Sequence, residues 1–229
     1  MSARSAARTG GLDLSVHLVT DERVTFDRLL EIVDAAVDAG IPVVQLRDKT
    51  ASTRALLERA LAMSALIAGR ARFVLNDRVD VALAARSAGA RIDGVHLGQS
   101  DLPPVYARAL LGADALIGWS AQTPAQLRAA ADLPTGTLDY LGVGAVRATA
   151  TKPDHPTPLG VAGFRVTAAA TALPCVAIGG VGAADADALM RPGEGAAAGL
   201  AVVSAVCQAT DPAHAARELV AATRERVAA

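Results

Sequence analysis

The sequence predicts a single (β/α)8 TIM barrel, and three observations lead there. Eight short apolar runs recur along the chain. Stretches rich in Ala, Leu, Arg and Glu, with helical period, separate them. Nearly every run ends at its C-terminal edge in residues suited to phosphate, a divalent cation or a closely approaching ligand, as a barrel mouth requires. A doubly wound open sheet would instead concentrate its phosphate-binding character in one Gly-rich first turn. Eight strand-then-helix units within 229 residues also match the roughly 200–250 residues that such a barrel takes.

In chain order the runs are Val16-His17-Leu18-Val19, Val43-Val44-Gln45-Leu46-Arg47, Phe73-Val74-Leu75-Asn76-Asp77 and Val95-His96-Leu97-Gly98, then Leu116-Ile117-Gly118-Trp119-Ser120, Tyr140-Leu141-Gly142-Val143-Gly144, Val176-Ala177-Ile178-Gly179-Gly180 and Leu200-Ala201-Val202-Val203-Ser204. Each is short, partly β-branched and bounded by Gly, Pro or charge, as a strand buried on both faces is. Residues 54–68 illustrate the intervening helices. Leu56, Leu57, Ala60, Leu61, Ser64 and Leu66 mark an inward side, while Arg54, Glu58 and Arg59 reach water.

Composition narrows the function. At 52% hydrophobic and 20% charged the chain can bury one large core, and it suits one domain, 14–229, behind a disordered leader, 1–13. The leader has no apolar stretch of a secretory signal, so a cytoplasmic protein is expected. A net charge of -1 and an aromatic content of 3% give neither the electrostatic footprint nor the stacking platforms of a nucleic-acid binder. No apolar run is long enough to span a bilayer; 196–207 reads as a buried strand entering a helix. Cys175 and Cys207 have no metal-ligand spacing around them and read as small buried hydrophobes.

Three clusters carry chemistry. In Gln45-Leu46-Arg47-Asp48-Lys49, alternate residues share a face, so Gln45 and Arg47 point one way and Lys49 can follow as the chain leaves the strand. An amide, a guanidinium and an ammonium converging on one volume suit a polyanion such as diphosphate; the plain alternative is an interior Gln/Arg pair neutralised by a neighbouring acid. Asn76-Asp77 and Asp101 follow adjacent strands, so two carboxylates can share one Mg²⁺, whose remaining ligands come from water and substrate phosphate. Either aspartate could instead cap the following helix. The third cluster runs from Gly144 to Lys152, with Thr149 and Thr151 at alternate positions, and leads into a proline-rich loop. Gly179-Gly180 and Val203-Ser204 end the last two strands, where barrels often build a phosphate site from backbone N–H groups. Two phosphorylated ligands, one a diphosphate with metal, fit a transfer in which pyrophosphate leaves.

As a set and in this order, these segments resemble the thiamine phosphate synthase family over nearly the whole chain. The motifs are Gln45 to Lys49, Leu75-Asn76-Asp77, Gly94 to Asp101, Gly118-Trp119-Ser120-Ala121, Gly142-Val143-Gly144, Ala148 to Lys152, Ile178-Gly179-Gly180 and Val202-Val203-Ser204. The resemblance implies a (β/α)8 barrel that joins 4-amino-5-hydroxymethyl-2-methylpyrimidine diphosphate to 4-methyl-5-(2-hydroxyethyl)thiazole phosphate, or its carboxylated form. It implies a dissociative reaction, in which pyrophosphate departs before the thiazole nitrogen attacks. Carried over by position, Gln45, Leu46, Arg47, Asp48, Lys49, Asn76, Ser120 and Lys152 contact the pyrimidine diphosphate, with Arg47, Lys49 and Lys152 on its phosphates as the catalytic cations. Asp77 and Asp101 hold Mg²⁺, and Thr149, Ala150, Thr151, Gly180, Val203 and Ser204 position the thiazole phosphate.

The chain departs from the family at several points. Asp48 stands where many members have Glu, Gln122 where they have His, and Ala145-Val146-Arg147-Ala148 where they have a proline-flanked aromatic run. Arg191 to Gly195 reads as a surface insertion. His96 is expected to be a hydrogen-bonded barrel residue, Trp119 a packing residue, and Asp211-Pro212 a helix start; His17, His155 and His214 form no ligand spacing. Two other functions compete. A thiazole tautomerase of the same barrel type would not need the diphosphate and Mg²⁺ constellation, and a phosphate-ligand sensor would not need a metal pair beside a second anion site.

Overall fold

A computed structural model of the chain describes residues 11–149 and 157–227, the side chains of 225–227 excepted. Eight parallel strands close into a barrel in sequence order, as expected: β1 (Val16–Val19), β2 (Val43–Leu46), β3 (Arg72–Asn76), β4 (Gly94–Leu97), β5 (Leu116–Ser120), β6 (Tyr140–Val143), β7 (Cys175–Ile178) and β8 (Gly199–Val202). Each apolar run holds a strand, with ends displaced by a residue or two. The helices are α1 (Phe26–Asp38), α2 (Thr53–Ile67), α3 (Val79–Ser87), α4 (Pro104–Leu111), α5 (Pro124–Ala131), α6 (Gly160–Ala169), α7 (Ala186–Met190, after a 3₁₀ turn at Ala183–Asp185), α8 (Ser204–Cys207) and α9 (Pro212–Val227).

Local chemistry sets several helix starts. Ser52 Oγ accepts from the Ala55 amide (3.2 Å) at α2, and Thr123 with Gln126 forms a reciprocal capping box at α5. At α9, Asp211 Oδ1 accepts from the His214 amide (2.9 Å), with Pro212 as first residue. In α2 the buried residues are Leu56, Ala60, Met63, Ser64 and Ile67. Leu57, Leu61 and Leu66 lie only partly buried against the same core, so the inward stripe is rotated from the expected one.

The apolar residues form two cores. A large one fills the space between barrel and helices; a small inner one includes Leu14, Val19, Val43, Val74, Leu116, Tyr140, Val176 and Ala201. Leu12 packs against the inner core, so packing reaches into the last residues of the segment read as a leader; residues 1–10 lie outside the described residues. Both cysteines are buried, and burial pushes each thiol up to about 12. Among the described residues no helix is long and apolar enough to cross a membrane.

The strand stagger arranges the interior in layers. His17, Val74, Gly118 and Val176 face inward from odd strands; Gln45, His96, Gly142 and Ala201 form the next layer toward the mouth, and Val19, Asn76, Ser120 and Ile178 the one above. Such layers are normally filled by branched side chains. Here Gly118 and Gly142 make room for the His96 and Tyr140 side chains, and a shaft descends from the mouth into the barrel.

Candidate active site

The shaft opens as a cavity of about 350 Å³ at the C-terminal ends of the strands, reaching from Lys49 and Asp101 at the rim down to His17 and Tyr140. On its β2 edge, Gln45 is buried and Arg47 and Lys49 line the wall. The chain is held there by Thr20, whose Oγ1 accepts from the Arg47 amide (2.9 Å) and donates to the Arg47 carbonyl (3.0 Å). Glu22 completes the hold: its Oε2 pairs with Arg47 (3.1 Å) and accepts the Lys49 amide (2.8 Å). The neighbouring acid considered from sequence therefore exists, and it sits beside the cation cluster without closing the cavity.

Two residues of this segment turn elsewhere. The Leu46 side chain is buried in the outer core, because the strand alternates and its neighbours Gln45 and Arg47 take the inward face. The Asp48 side chain accepts from the Thr50 and Ala51 amides and pairs with Arg59. With both side chains turned away, the contact expected of Leu46 and Asp48 would be made through their backbone.

Asp77 and Asp101 are not helix caps. Arg78 and Pro103 occupy the positions before α3 and α4, and neither helix start is capped by a side chain. Asp77 instead adopts a left-handed backbone, φ 63°, uncommon for a residue other than Gly. Its amide extends the β3–β4 ladder to the His96 carbonyl (2.8 Å). Its carboxylate lies 3.1 Å from Lys49 Nζ. Asp101 Oδ2 accepts the Gly98 amide (2.7 Å). Burial pushes the Asp101 carboxyl above the ordinary range, the adjoining Asp77 carboxyl adds to the shift, and the Gly98 amide and Lys49 oppose it. Two carboxyls pressed together in a partly desolvated wall are a fitting pair for a hard cation. No larger nest of His, Cys, Asp or Glu stands among the described residues, so most ligands of such a cation would come from water or substrate, as Mg²⁺ prefers.

Below the rim stands a polar column. His96 Nε2 lies 3.0 Å from Ser120 Oγ, and His96 Nδ1 lies 3.0 Å from the Tyr140 hydroxyl. His96 is thus the hydrogen-bonded barrel residue expected. Gly118 and Gly142 make space for it: a Cβ at Gly118 would strike His96 and Tyr140, and one at Gly142 would lie 2.9 Å from His96 Cε1. Burial raises the Tyr140 hydroxyl above its ordinary value, so it stays protonated. Trp119 packs in the outer core with Nε1 donating to the Gly98 carbonyl (3.1 Å).

The opposite edge is built from backbone. Gly179 and Gly180 have φ of 95° and 65°. The segment after β6 runs beside them, with Val146 N donating to the Ile178 carbonyl and Arg147 N to the Gly179 carbonyl, both at 2.9 Å. Side chains at Gly179 or Gly180 would meet Ala145, Arg147 and Ala148; the glycine pair first serves this close approach. Thr149, Gly180, Val203 and Ser204 line the cavity. Arg147 pairs with Asp185, which also accepts the Gly182 amide (3.0 Å), so its charge is engaged at the rim. Ala150, Thr151, Lys152 and His155 lie outside the described residues.

Sequence reasoning missed Thr20, Glu22 and Tyr140. The Thr20-Asp21-Glu22-Arg23 run directly after the first strand was the available signal for the first two; Tyr140 reads as an ordinary strand residue.

A family model described as thiamine monophosphate synthase matches residues 16–206. The thiamine-phosphate synthase of Xanthobacter autotrophicus is 50% identical over 212 residues, covering 92% of this chain and 95% of that one. That of Azorhizobium caulinodans is 48% identical over 209 residues, covering 90% and 93%. The solved structure of thiamine phosphate pyrophosphorylase from Pyrococcus furiosus is similar at a TM-score of 0.78 and 31% identity, covering 94% and 98%. A 3-hexulose-6-phosphate synthase, TM-score 0.67 at 18% identity over 91% of this chain and 99% of its own, shares the fold alone.

Proposed function

The chain belongs to the thiamine monophosphate synthase family, and from that premise we propose how its cavity carries out the reaction. It is a transferase that makes thiamine phosphate from two phosphorylated small molecules, the pyrimidine diphosphate and the thiazole phosphate, with release of pyrophosphate. The observation that carries the division of labour is the contrast across one cavity mouth. Cations and a carboxylate pair line the β2–β4 side, while glycine backbone and hydroxyls line the β7–β8 side.

On the first side, Arg47 and Lys49 hold the diphosphate, and Asn76 and Ser120 hold the rest of the pyrimidine substrate from the cavity wall. Gln45 reaches the ring from the layer below, and Lys152 joins the two cations by its place in the family motif. Asp77 and Asp101 fit Mg²⁺, which would neutralise charge gathering on the leaving diphosphate. Lys49 already lies against Asp77, so on diphosphate binding its ammonium exchanges a carboxylate partner for a phosphate oxygen. On the other side, the Gly180 and Ser204 amides, the Ser204 hydroxyl, Val203 and Thr149 receive the thiazole phosphate, with Ala150 and Thr151 assigned by their place in the family motif.

The methylene–oxygen bond breaks and its electron pair leaves with the diphosphate. The pyrimidinylmethyl cation is then captured by the thiazole nitrogen lone pair, forming the new C–N bond. Bond breaking requires no general base, and Arg47 and Lys49 stabilise the departing charge electrostatically. Water is kept from the cation by the closed barrel wall behind it.

The test is thiamine phosphate formation by the purified chain from the two substrates, with and without Mg²⁺. Product with equimolar pyrophosphate, dependent on Mg²⁺, is expected. Product independent of divalent cation would overturn the role of Asp77 and Asp101. Thiazole phosphate binding without any product would instead favour a tautomerase.

A further inference from the structure

Both cations on the β2–β4 side stand against a carboxylate of the chain itself. Lys49 Nζ lies 3.1 Å from Asp77, and Arg47 Nη1 lies 3.1 Å from Glu22. The two acids differ in what else they do. Asp77 fits the cation site, so a metal draws it away from Lys49 and leaves that half-exposed side chain to turn to a phosphate oxygen. Glu22 is held where it is. The same oxygen that meets Arg47 also accepts the Lys49 amide at 2.8 Å, which ties the carboxylate to the backbone of the β2 exit. Arg23, next in the chain, does not draw it off, because that guanidinium gives two bonds of 2.8 Å to Asp21.

The consequence is electrostatic. Arg47 is mostly buried, and a guanidinium carries five N–H groups in a fixed fork. Glu22 takes one and leaves the others for a ligand. The acid therefore keeps the fork in place, and its negative charge stays beside whatever anion the fork holds. Unit charges near a protein surface act on one another over several ångströms, so Glu22 repels the anion that Arg47 attracts. Two cations and a divalent metal on one small polyanion would otherwise hold product as tightly as substrate. Such uniform binding does not speed bond breaking, and it delays product release.

We propose that Glu22 is a positioning residue with two effects: it fixes the Arg47 guanidinium and the Lys49 backbone in the geometry that meets the diphosphate, and its charge weakens their grip so that pyrophosphate is released. This rests on the diphosphate binding at the Arg47–Lys49 rim as set out above. Glu22 does not touch the reacting atoms and acts only through the residues that it holds.

Two variants of the whole chain separate charge from geometry, each checked by a melting curve and by calorimetric titration with Mg²⁺-pyrophosphate. Glu22→Gln keeps an oxygen that accepts from the Lys49 amide and from Arg47 but removes the charge. Its dissociation constant for Mg²⁺-pyrophosphate and its KM for the pyrimidine diphosphate should both fall about threefold to fivefold, while the KM for thiazole phosphate stays as in the parent. Glu22→Asp keeps the charge on a side chain one methylene shorter, too short to meet both partners at these distances. Its kcat should fall about tenfold, with no tightening toward pyrophosphate. Unchanged or weaker pyrophosphate binding by folded Glu22→Gln overturns the inference, since a merely structural acid would not tighten a ligand when neutralised. If the glutamine variant does not fold, tightening or undiminished kcat in Glu22→Asp overturns it alone. A parent that makes no thiamine phosphate, or binds no Mg²⁺-pyrophosphate, overturns the functional reading itself.

Discussion

The two sides of the cavity mouth are built of different materials, and in the proposed function each holds a phosphorylated ligand. On the β2–β4 side the groups are long charged side chains, and they need outside support: Glu22 and Thr20 fix Arg47 and the Lys49 backbone, and Asp77 holds the Lys49 ammonium. On the β7–β8 side the groups are amides and a hydroxyl, and their position comes from glycine conformations and from the backbone of 145–148 lying alongside. Under the proposed function, the difference teaches that charge is supplied where a leaving group must be stabilised, and rigid dipoles where a phosphate need only be held. Side-chain substitutions should therefore damage the first side through rate, and backbone substitutions the second through affinity.

The largest break in that contrast is expected from Asp77→Ala. Mg²⁺-dependent turnover should fall by about 10²–10³-fold, with little change in the thermal midpoint, measured by pyrophosphate release and a melting curve side by side. Retained turnover would remove Asp77 from the metal site. Gly180→Ala comes next. A methyl there would stand 2.9 Å from both the Ala148 carbonyl oxygen and Arg147 Cβ at a φ of 65°. It should raise the thiazole phosphate KM about tenfold and lower stability by about 1–2 kcal/mol. An unchanged KM would mean that the glycine serves packing alone.

Asp21, after β1, pairs with Arg23 and accepts from Gln208 beyond α8 (2.8 Å). The Arg23 hydrogen bond, opposed by burial and helped by Gln208, holds its carboxyl down to about 2. A depressed folded pKa contributes stability above the unfolded value, near 3.8, and loses it as pH falls toward about 2. Asp21→Asn should cost about 1–2 kcal/mol at neutral pH, a gap that closes between about pH 4 and pH 2. Denaturation across that range checks it; a constant gap would exclude the carboxylate's charge as the cause. The smallest effect is expected from Ser204→Ala, a rise of about threefold to tenfold in thiazole phosphate KM at unchanged kcat. If kcat fell instead, this hydroxyl would belong to the chemistry of the opposite side.

Much of this molecule was legible before any coordinates. Strands buried on both faces appear as bounded apolar runs, so the eight runs locate all eight strands. Residues fixed by strand exit, such as Arg47, Lys49, Asn76 and Asp77, reach the mouth wherever the barrel closes. What stayed hidden depends on contacts far apart in sequence. Whether Asp48 faces ligand is decided by Arg59 on the next helix, and whether Arg147 is available is decided by Asp185. That Asp77 does not cap the helix after it follows from its left-handed backbone and an amide contact to the neighbouring strand.

The sequence by itself determined the barrel, the order of its strands and the strand ends that carry polar groups, because alternation and short-range periodicity are properties of the local chain. The tertiary structure alone decided which inward residues share a layer. Register between strands brought His17, Tyr140, His96 and Ser120 into one column, and glycines at 118 and 142 made room for it. A stagger summed round a closed sheet depends on every strand at once, and no local segment encodes it.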